Sequence, residues 1–115
     1  EEYESLVKED DIALIYTGHS KCYYTSKYFT DYPTISNELI EFLIMKKIKI
    51  LGIDFPSPDK YPYKNHKILF SHDILLIENL CNLEYLEGLS SFRIIAFPLK
   101  IEADSSLLRV VAVVI

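Results

Sequence analysis

A mixed α/β domain in which strands outnumber helices is the fold class this sequence predicts. Three observations carry that expectation. Short aliphatic runs recur along the chain, "DIALIYTG" (11–18), "IKILGID" (48–54) and "DILLIEN" (73–79), each of strand length and each bounded by turn or polar residues. One segment, "SNELIEFLIMKK" (36–47), instead places its apolar residues at helical spacing. The chain has 115 residues, of which 50% are hydrophobic and 25% charged. That is an ordinary globular balance, and a chain of this length can bury a core without disulfides or metals as staples.

Taken in order, 11–18 reads as a buried strand closed by Gly18. The stretch after it, "HSKCYYTSKYFTDYP", has no clean period and reads as a loop anchored by Tyr23, Tyr24, Tyr28 and Phe29. In 36–47 Ser36 is placed to cap the helix, Glu38 and Glu41 lie in the early turns, and Lys46 and Lys47 close the last one, where cations complement the helix dipole. Leu39, Phe42, Leu43 and either Met45 or Lys46 mark its expected inward face. A strand follows at 48–54 almost without a linker. The three prolines of "FPSPDKYPYKN" (55–65) exclude regular structure there. A helical turn is expected from His66, a third strand at 73–79 and a turn or short helix at 80–89. Two strands, 92–101 and 107–115, close the chain around the polar loop "EADSS". No repeat, low-complexity tract or internal boundary interrupts this order.

Several function classes are disfavoured by composition. The net charge is −5, and the basic residues are scattered apart from Lys46, Lys47 and Lys49, so no nucleic-acid partner is expected. No apolar run approaches the roughly 20 residues of a membrane span, and no signal peptide is visible. Cys22 and Cys81 form no CxxC pair, which excludes a zinc ribbon or dithiol motif. Their small number favours reduced thiols and a cytoplasmic protein, although spacing alone leaves a disulfide between them open. The first residue is Glu1 rather than methionine, which raises the expectation of further sequence upstream.

Glu78 is the residue that stands out. It follows Ile74, Leu75, Leu76 and Ile77, so both faces of its strand are expected to be covered. It also falls outside the carboxyl end of that strand, where ligands collect in α/β sheets. An ionised carboxylate buried there costs several kcal/mol unless a cation compensates it. The plainer alternative is a solvent-facing residue that begins the next turn. Taken singly, His66 reads as a surface or hydrogen-bonded residue, His72 as a turn residue and His19 as exposed, with no HxxxH or HExxH spacing. No GxSxG elbow, glycine-rich phosphate loop or Cys–His pair is present.

The order of segments adds to this reading. "DIALIYTG", a Tyr-rich loop to "YP", "SNELIEFLIMKKIKILGIDFPSPD", "HKILFSHDILLIENLCNLEYL", "FPLKI" and "LLRVVAVV" together resemble the metal-dependent cyclase family, which includes kynurenine formamidase-like and isatin hydrolase-like enzymes. "GIDFPSPD" (52–59) and "IENLCNL" (77–83) are the most specific pieces. The resemblance implies a swivelling β/α/β-type cyclase domain, of which 1–115 would be the carboxyl-terminal portion, incomplete at its amino-terminal side. It further implies that His66 (of H-x-x-L) and Glu78 (of E-N-L) are metal ligands for one or two ions. Imidazole with carboxylate suits Zn²⁺ or Mn²⁺ rather than a metal that prefers thiolate. The family's H-x-G-T-H-x-D-x-P-x-H motif, source of most ligands and of the catalytic histidine, is absent, since the histidines are 19, 66 and 72 alone. No catalytic residue is therefore expected in this chain. An aromatic residue commonly stands where His19 does, which leaves the lining of the substrate pocket open.

The implied activity is hydrolysis of an amide or cyclic amide, such as the arylformamide of tryptophan catabolism, with this chain supplying part of the site. Asp54, Ser57 and Asp59 are expected to support that site rather than to act in the chemistry. The competing expectation is a truncated, non-catalytic member that serves as a structural or binding subunit. Strands ending in "RVVAVVI" would leave an apolar edge, so either a homo-oligomer or a missing first half is expected to cover it.

Overall fold

A computed structural model describes residues 4–115, which fall into two compact units, residues 4–84 and 85–115. The first is built on a three-stranded parallel sheet of β1 (Ile12–Ile15), β2 (Ile50–Ile53) and β3 (Leu75–Ile77), in the order β1-β2-β3. Ile15 lies opposite Ile53, and Gly52 opposite Ile77, so all three strands end at the same edge of the sheet. Parallel neighbours need crossover connections. Here a 3-10 turn (His19–Cys22), the short helix α1 (Lys27–Thr30) and α2 (Asn37–Met45) lead from β1 to β2, and α3 (Lys64–Ser71) leads from β2 to β3. The mixed α/β class is thus as the sequence predicts, and the Tyr-rich stretch expected to be a loop contains two short helical turns. Among the described residues, no helix is long and apolar enough to cross a membrane.

α2 starts where its capping residue indicates, with Ser36 Oγ accepting from the Leu39 N–H at 3.3 Å. Its inward face is rotated from the expected one. Ile40 and Leu43 are buried, whereas Leu39 and Met45 are exposed. Apolar residues occupy nearly every position from 39 to 45, so the sequence admits more than one stripe, and packing on the sheet selects the one centred on Ile40 and Leu43. The helix stops at Met45 because Lys47 takes a left-handed conformation (φ 52°), which releases the chain into Ile48 and β2. Leu51, Ile53, Phe55, Leu69 and Ile74 complete the core around these residues.

Gly52 lies where no larger residue fits. A Cβ there would sit 2.6 Å from Leu14 Cδ2 and 2.8 Å from Leu80 Cδ1. We expect Gly52→Ala to lower the unfolding free energy by about 1–3 kcal/mol, the usual cost of overpacking, readable in the urea midpoint.

Among the described residues β3 is an edge strand, and the exposure of Leu75 corrects the expectation that both its faces are covered. Ile74 and Ile77 are buried, but Leu75 is 57% exposed. It is also shorter than the predicted 73–79, because Asp73 and Asn79 both have left-handed backbone (φ 57° and 59°) and frame it with turns. The second unit holds an antiparallel pair, β4 (Phe92–Pro98) and β5 (Leu108–Val114), with Phe92 opposite Val114. Phe97, Val111, Val113 and Val114 are exposed on it.

Candidate metal centre and the adjoining cavity

Beyond the carboxyl ends of the parallel strands the chain places Thr17 and Gly18 after β1, Asp54 after β2 and Glu78 after β3. This is the edge of an open α/β sheet where ligand sites form.

Asp54 is fully buried and fully used. Its Oδ1 accepts from the Thr17 N–H (3.0 Å) and the Thr17 hydroxyl (2.7 Å), and its Oδ2 from the Gly18 N–H (2.8 Å) and the Ser20 hydroxyl (3.4 Å). It ties the end of β1 to the end of β2. Gly18 meets this demand with a positive φ of 81°, which starts the 3-10 turn. His19, expected to be exposed, is instead partly buried. Its ring stacks on Tyr28 with centroids 5.1 Å apart, and Nε2 pairs with the Tyr28 carbonyl at 2.9 Å.

His66 and Glu78 do meet. His66 Nε2 lies 3.2 Å from Glu78 Oε1, across the 12 residues that separate them in sequence. His66 sits in the first turns of α3, a helix that begins two residues before the predicted turn. Tyr63, in left-handed conformation, precedes this helix, and Asp59 caps it from the proline-rich loop. Asp59 Oδ2 accepts from the backbone N–H groups of Asn65 and His66, while Asp59 Oδ1 accepts from His66 Nδ1 at 2.6 Å. Asn65, itself buried, holds this loop by donating Nδ2 to the carbonyls of Ile35 (2.9 Å) and Pro58 (3.2 Å). Ser57 adds a hydroxyl bond to the Asp59 carbonyl at 2.6 Å.

The proton count of this trio is instructive. With Nδ1–H given to Asp59, His66 Nε2 is left with a lone pair, and the Glu78 carboxylate opposite offers lone pairs only. Such a contact needs a cation between the two atoms, either a proton or a metal ion. Burial, its largest cause, raises the Glu78 pKa above the ordinary value, and the Asp59 charge adds to the rise while His66 opposes it. A carboxylate–imidazole–donor arrangement of this kind orients metal-binding histidines. The donor set thus fits a divalent ion in part, because catalytic zinc sites use three protein ligands. Among the described residues, no group of three or more His, Cys, Asp or Glu side chains is arranged to hold an ion. His72 takes no part, its Nδ1 pairing with the Ile68 carbonyl at 2.9 Å.

At Asn79, the residue that follows Glu78 in sequence, opens a cavity of about 450 Å³, lined also by Tyr23, Tyr24, Tyr28 and Leu80 among others. Tyr28 is buried, and its hydroxyl donates to Asn79 Oδ1 at 2.8 Å. Its pKa is pushed up to about 12, chiefly by burial, with the charges of Tyr23, Asp54, Cys81 and Glu78 adding, so the phenol keeps its proton at neutral pH. Cys22 and Cys81 are both free thiols. In the sequence Tyr28 is legible only as one aromatic anchor of its loop, Asn65 has no signal of its own, and Asn79 is marked only by the E-N-L context.

Residues 1–60 match the model of the Cyclase family, which is more than half of the 115 residues. The chain belongs to this family. Its Cyclase relatives include uncharacterized protein MJ0783 of Methanocaldococcus jannaschii, 41% identical over 105 residues, which are 90% of this chain and 54% of that protein. The kynurenine formamidase of Erythrobacter litoralis is 33% identical over 86 residues, 71% of this chain and 39% of that enzyme. Two solved structures share the fold at 24% identity. One is described as a potential metal-dependent hydrolase with cyclase activity (TM-score 0.68, 90% of this chain, 51% of that one). The other is a predicted metal-dependent hydrolase from Bacillus stearothermophilus (TM-score 0.67, 90% of this chain, 50% of that one). The chain spans about half the length of these relatives and solved structures, or less.

Proposed function

We propose that this chain supplies His66 and Glu78 to the metal centre of an amide hydrolase that acts on an arylformamide or cyclic amide. The observation that carries this reading is the convergence of His66 Nε2 and Glu78 Oε1 to 3.2 Å with the far side of the imidazole bonded to Asp59. The kynurenine formamidase relatives and the neighbours described as metal-dependent point to the same chemistry. Zn²⁺ or Mn²⁺ suits one imidazole and one carboxylate. When bound, such an ion polarises a carbonyl and acidifies water. In this reading Asp59 holds the Nδ1 proton of His66, which keeps the Nε2 lone pair directed at the ion. Glu78 contributes negative charge, and the remaining ligands and the proton-transferring histidine come from residues this sequence does not contain.

The test is metal analysis of the purified protein combined with an N-formylkynurenine hydrolysis assay and a short panel of cyclic amides. Bound metal with amide turnover supports the proposal. An intact, metal-loaded protein that hydrolyses none of them would sink it and favour a non-catalytic, binding or structural role. Within the same reading, Asp59→Asn should weaken metal binding by roughly 10–100-fold, since support of a histidine ligand is worth that much. Competition with a fluorescent chelator measures it.

A further inference from the structure

Asn79 directly follows Glu78 and also lines the 450 Å³ cavity. Its backbone is fixed on both sides. It has a left-handed φ of 59°, its N–H donates to the Phe55 carbonyl (3.2 Å), and the next N–H, that of Leu80, donates to the Ile53 carbonyl (3.0 Å). Its side chain is fixed as well, because Oδ1 accepts from the Tyr28 hydroxyl. A primary amide with its oxygen committed in this way turns its NH₂ to the other side. Among the described residues that NH₂ has no protein hydrogen-bond acceptor, and the residue is exposed. Tyr28 cannot easily give way, held as it is by the His19 stack and by the His19 bond to its carbonyl. The rings of Tyr23 and Tyr24 stand at the same cavity and offer surface to an aryl group.

Building on the amide-hydrolase reading, we propose that Asn79 binds substrate, its Nδ2 donating a hydrogen bond to the carbonyl oxygen of an aryl amide seated in the cavity, and that Tyr28 is the positioning residue that orients this amide. Asn79 is neutral and directly follows Glu78 in sequence, so a carbonyl bound to its amide brings no added charge to this stretch of chain. A carbonyl oxygen accepts this bond readily, whereas an aryl ligand without one leaves the NH₂ unpaired. The cavity therefore selects for carbonyl-bearing aromatics, not for aromatics in general.

The experiment is calorimetric titration of the protein with formanilide, with toluene-like aryl controls lacking the carbonyl. Asn79→Gly removes the amide while tolerating the positive φ, and it should weaken formanilide binding by about tenfold. Asn79→Asp, which also tolerates that backbone but cannot donate, should do the same if the glycine variant fails to fold. Tyr28→Phe keeps the ring and should cost about threefold. In the Asn79→Gly background it should cost nothing further, because its effect passes through Asn79. Metal affinity should stay within about twofold of wild type in Asn79→Gly and in Tyr28→Phe. Absence of formanilide binding by the wild type, wild-type binding by Asn79→Gly, or an equal loss from Tyr28→Phe in both backgrounds would each overturn the proposal. Failure of the hydrolase reading looks different: formanilide binding would persist, and remain sensitive to Asn79, in a protein that cleaves no amide.

Discussion

Glu78→Gln is expected to strip the divalent ion of the proposed metal centre and abolish the proposed amide hydrolysis while leaving the fold intact. Glutamine is nearly isosteric but neutral, and its amide offers a much poorer ligand than a carboxylate. Losing support behind a ligand already costs roughly 10–100-fold in affinity, so losing the ligand itself should exceed about a hundredfold. The fold has no need of the charge. In the metal-free protein burial keeps the Glu78 carboxyl protonated to higher pH than its ordinary 4.5, despite the attraction of His66. Above that value the folded state binds more protons than the unfolded one, so stability falls as pH rises through the raised pKa, and this contribution is fully present only below 4.5. Glutamine removes this pH dependence. Metal-free Glu78→Gln should therefore melt no lower than the metal-free wild type at pH 7, and it should gain nothing from added Zn²⁺ or Mn²⁺, whereas the wild type rises with metal. Thermal melts with and without chelator, together with elemental analysis, read both arms. Unchanged metal content in the variant would remove Glu78 from the site.

The pattern that marks Glu78 in the sequence is right about the position for an incomplete reason: four aliphatic residues imply a strand covered on both faces, yet Leu75 is exposed. What makes the position costly for a charge is chiefly its burial beyond the strand end, to which the Asp59 charge adds, and no local pattern encodes that. The parallel strands were legible because aliphatic runs of strand length leave little choice of structure. The inward face of α2 was not, since six of its seven residues from Leu39 to Met45 are apolar and only packing breaks the tie. Asp59 could be recognised as a supporting residue within "GIDFPSPD", but its partner His66 lies seven residues away, across the turn at 61–63 and into α3. The Tyr28–Asn79 bond spans 51 residues and depends on how β1 and β3 share one sheet, so it is information that exists only after folding.

Asp54→Ala is expected to be the most damaging single substitution in the first unit, lowering its unfolding free energy by about 3–5 kcal/mol. The carboxylate accepts two backbone N–H groups and two hydroxyls, and it is 0% exposed, so no water replaces it at once. The Thr17 and Gly18 N–H groups, in partly buried bonds, both lose their acceptor, and a donor left unpaired in a buried setting costs about 1–3 kcal/mol. Asp54→Asn should be intermediate, because one of its two oxygens becomes an NH₂ that faces donors. Thr17→Val, which removes one hydroxyl bond of 2.7 Å and keeps the shape, should cost only about 1 kcal/mol. Urea unfolding of the three variants tests the order Ala, Asn, Val; an Asp54→Ala protein within about 0.5 kcal/mol of wild type would mean the turn after β1 does not depend on this anchor. The anchor also reaches the site. Thr17, Gly18 and Ser20 lead directly into His19 and Lys21, and from there into the tyrosines that wall the cavity. Any Asp54 variant that still folds should therefore lose formanilide binding before it loses metal, because His66 and Asp59 are held by α3 and its loop and Glu78 by the end of β3, rather than by the end of β1.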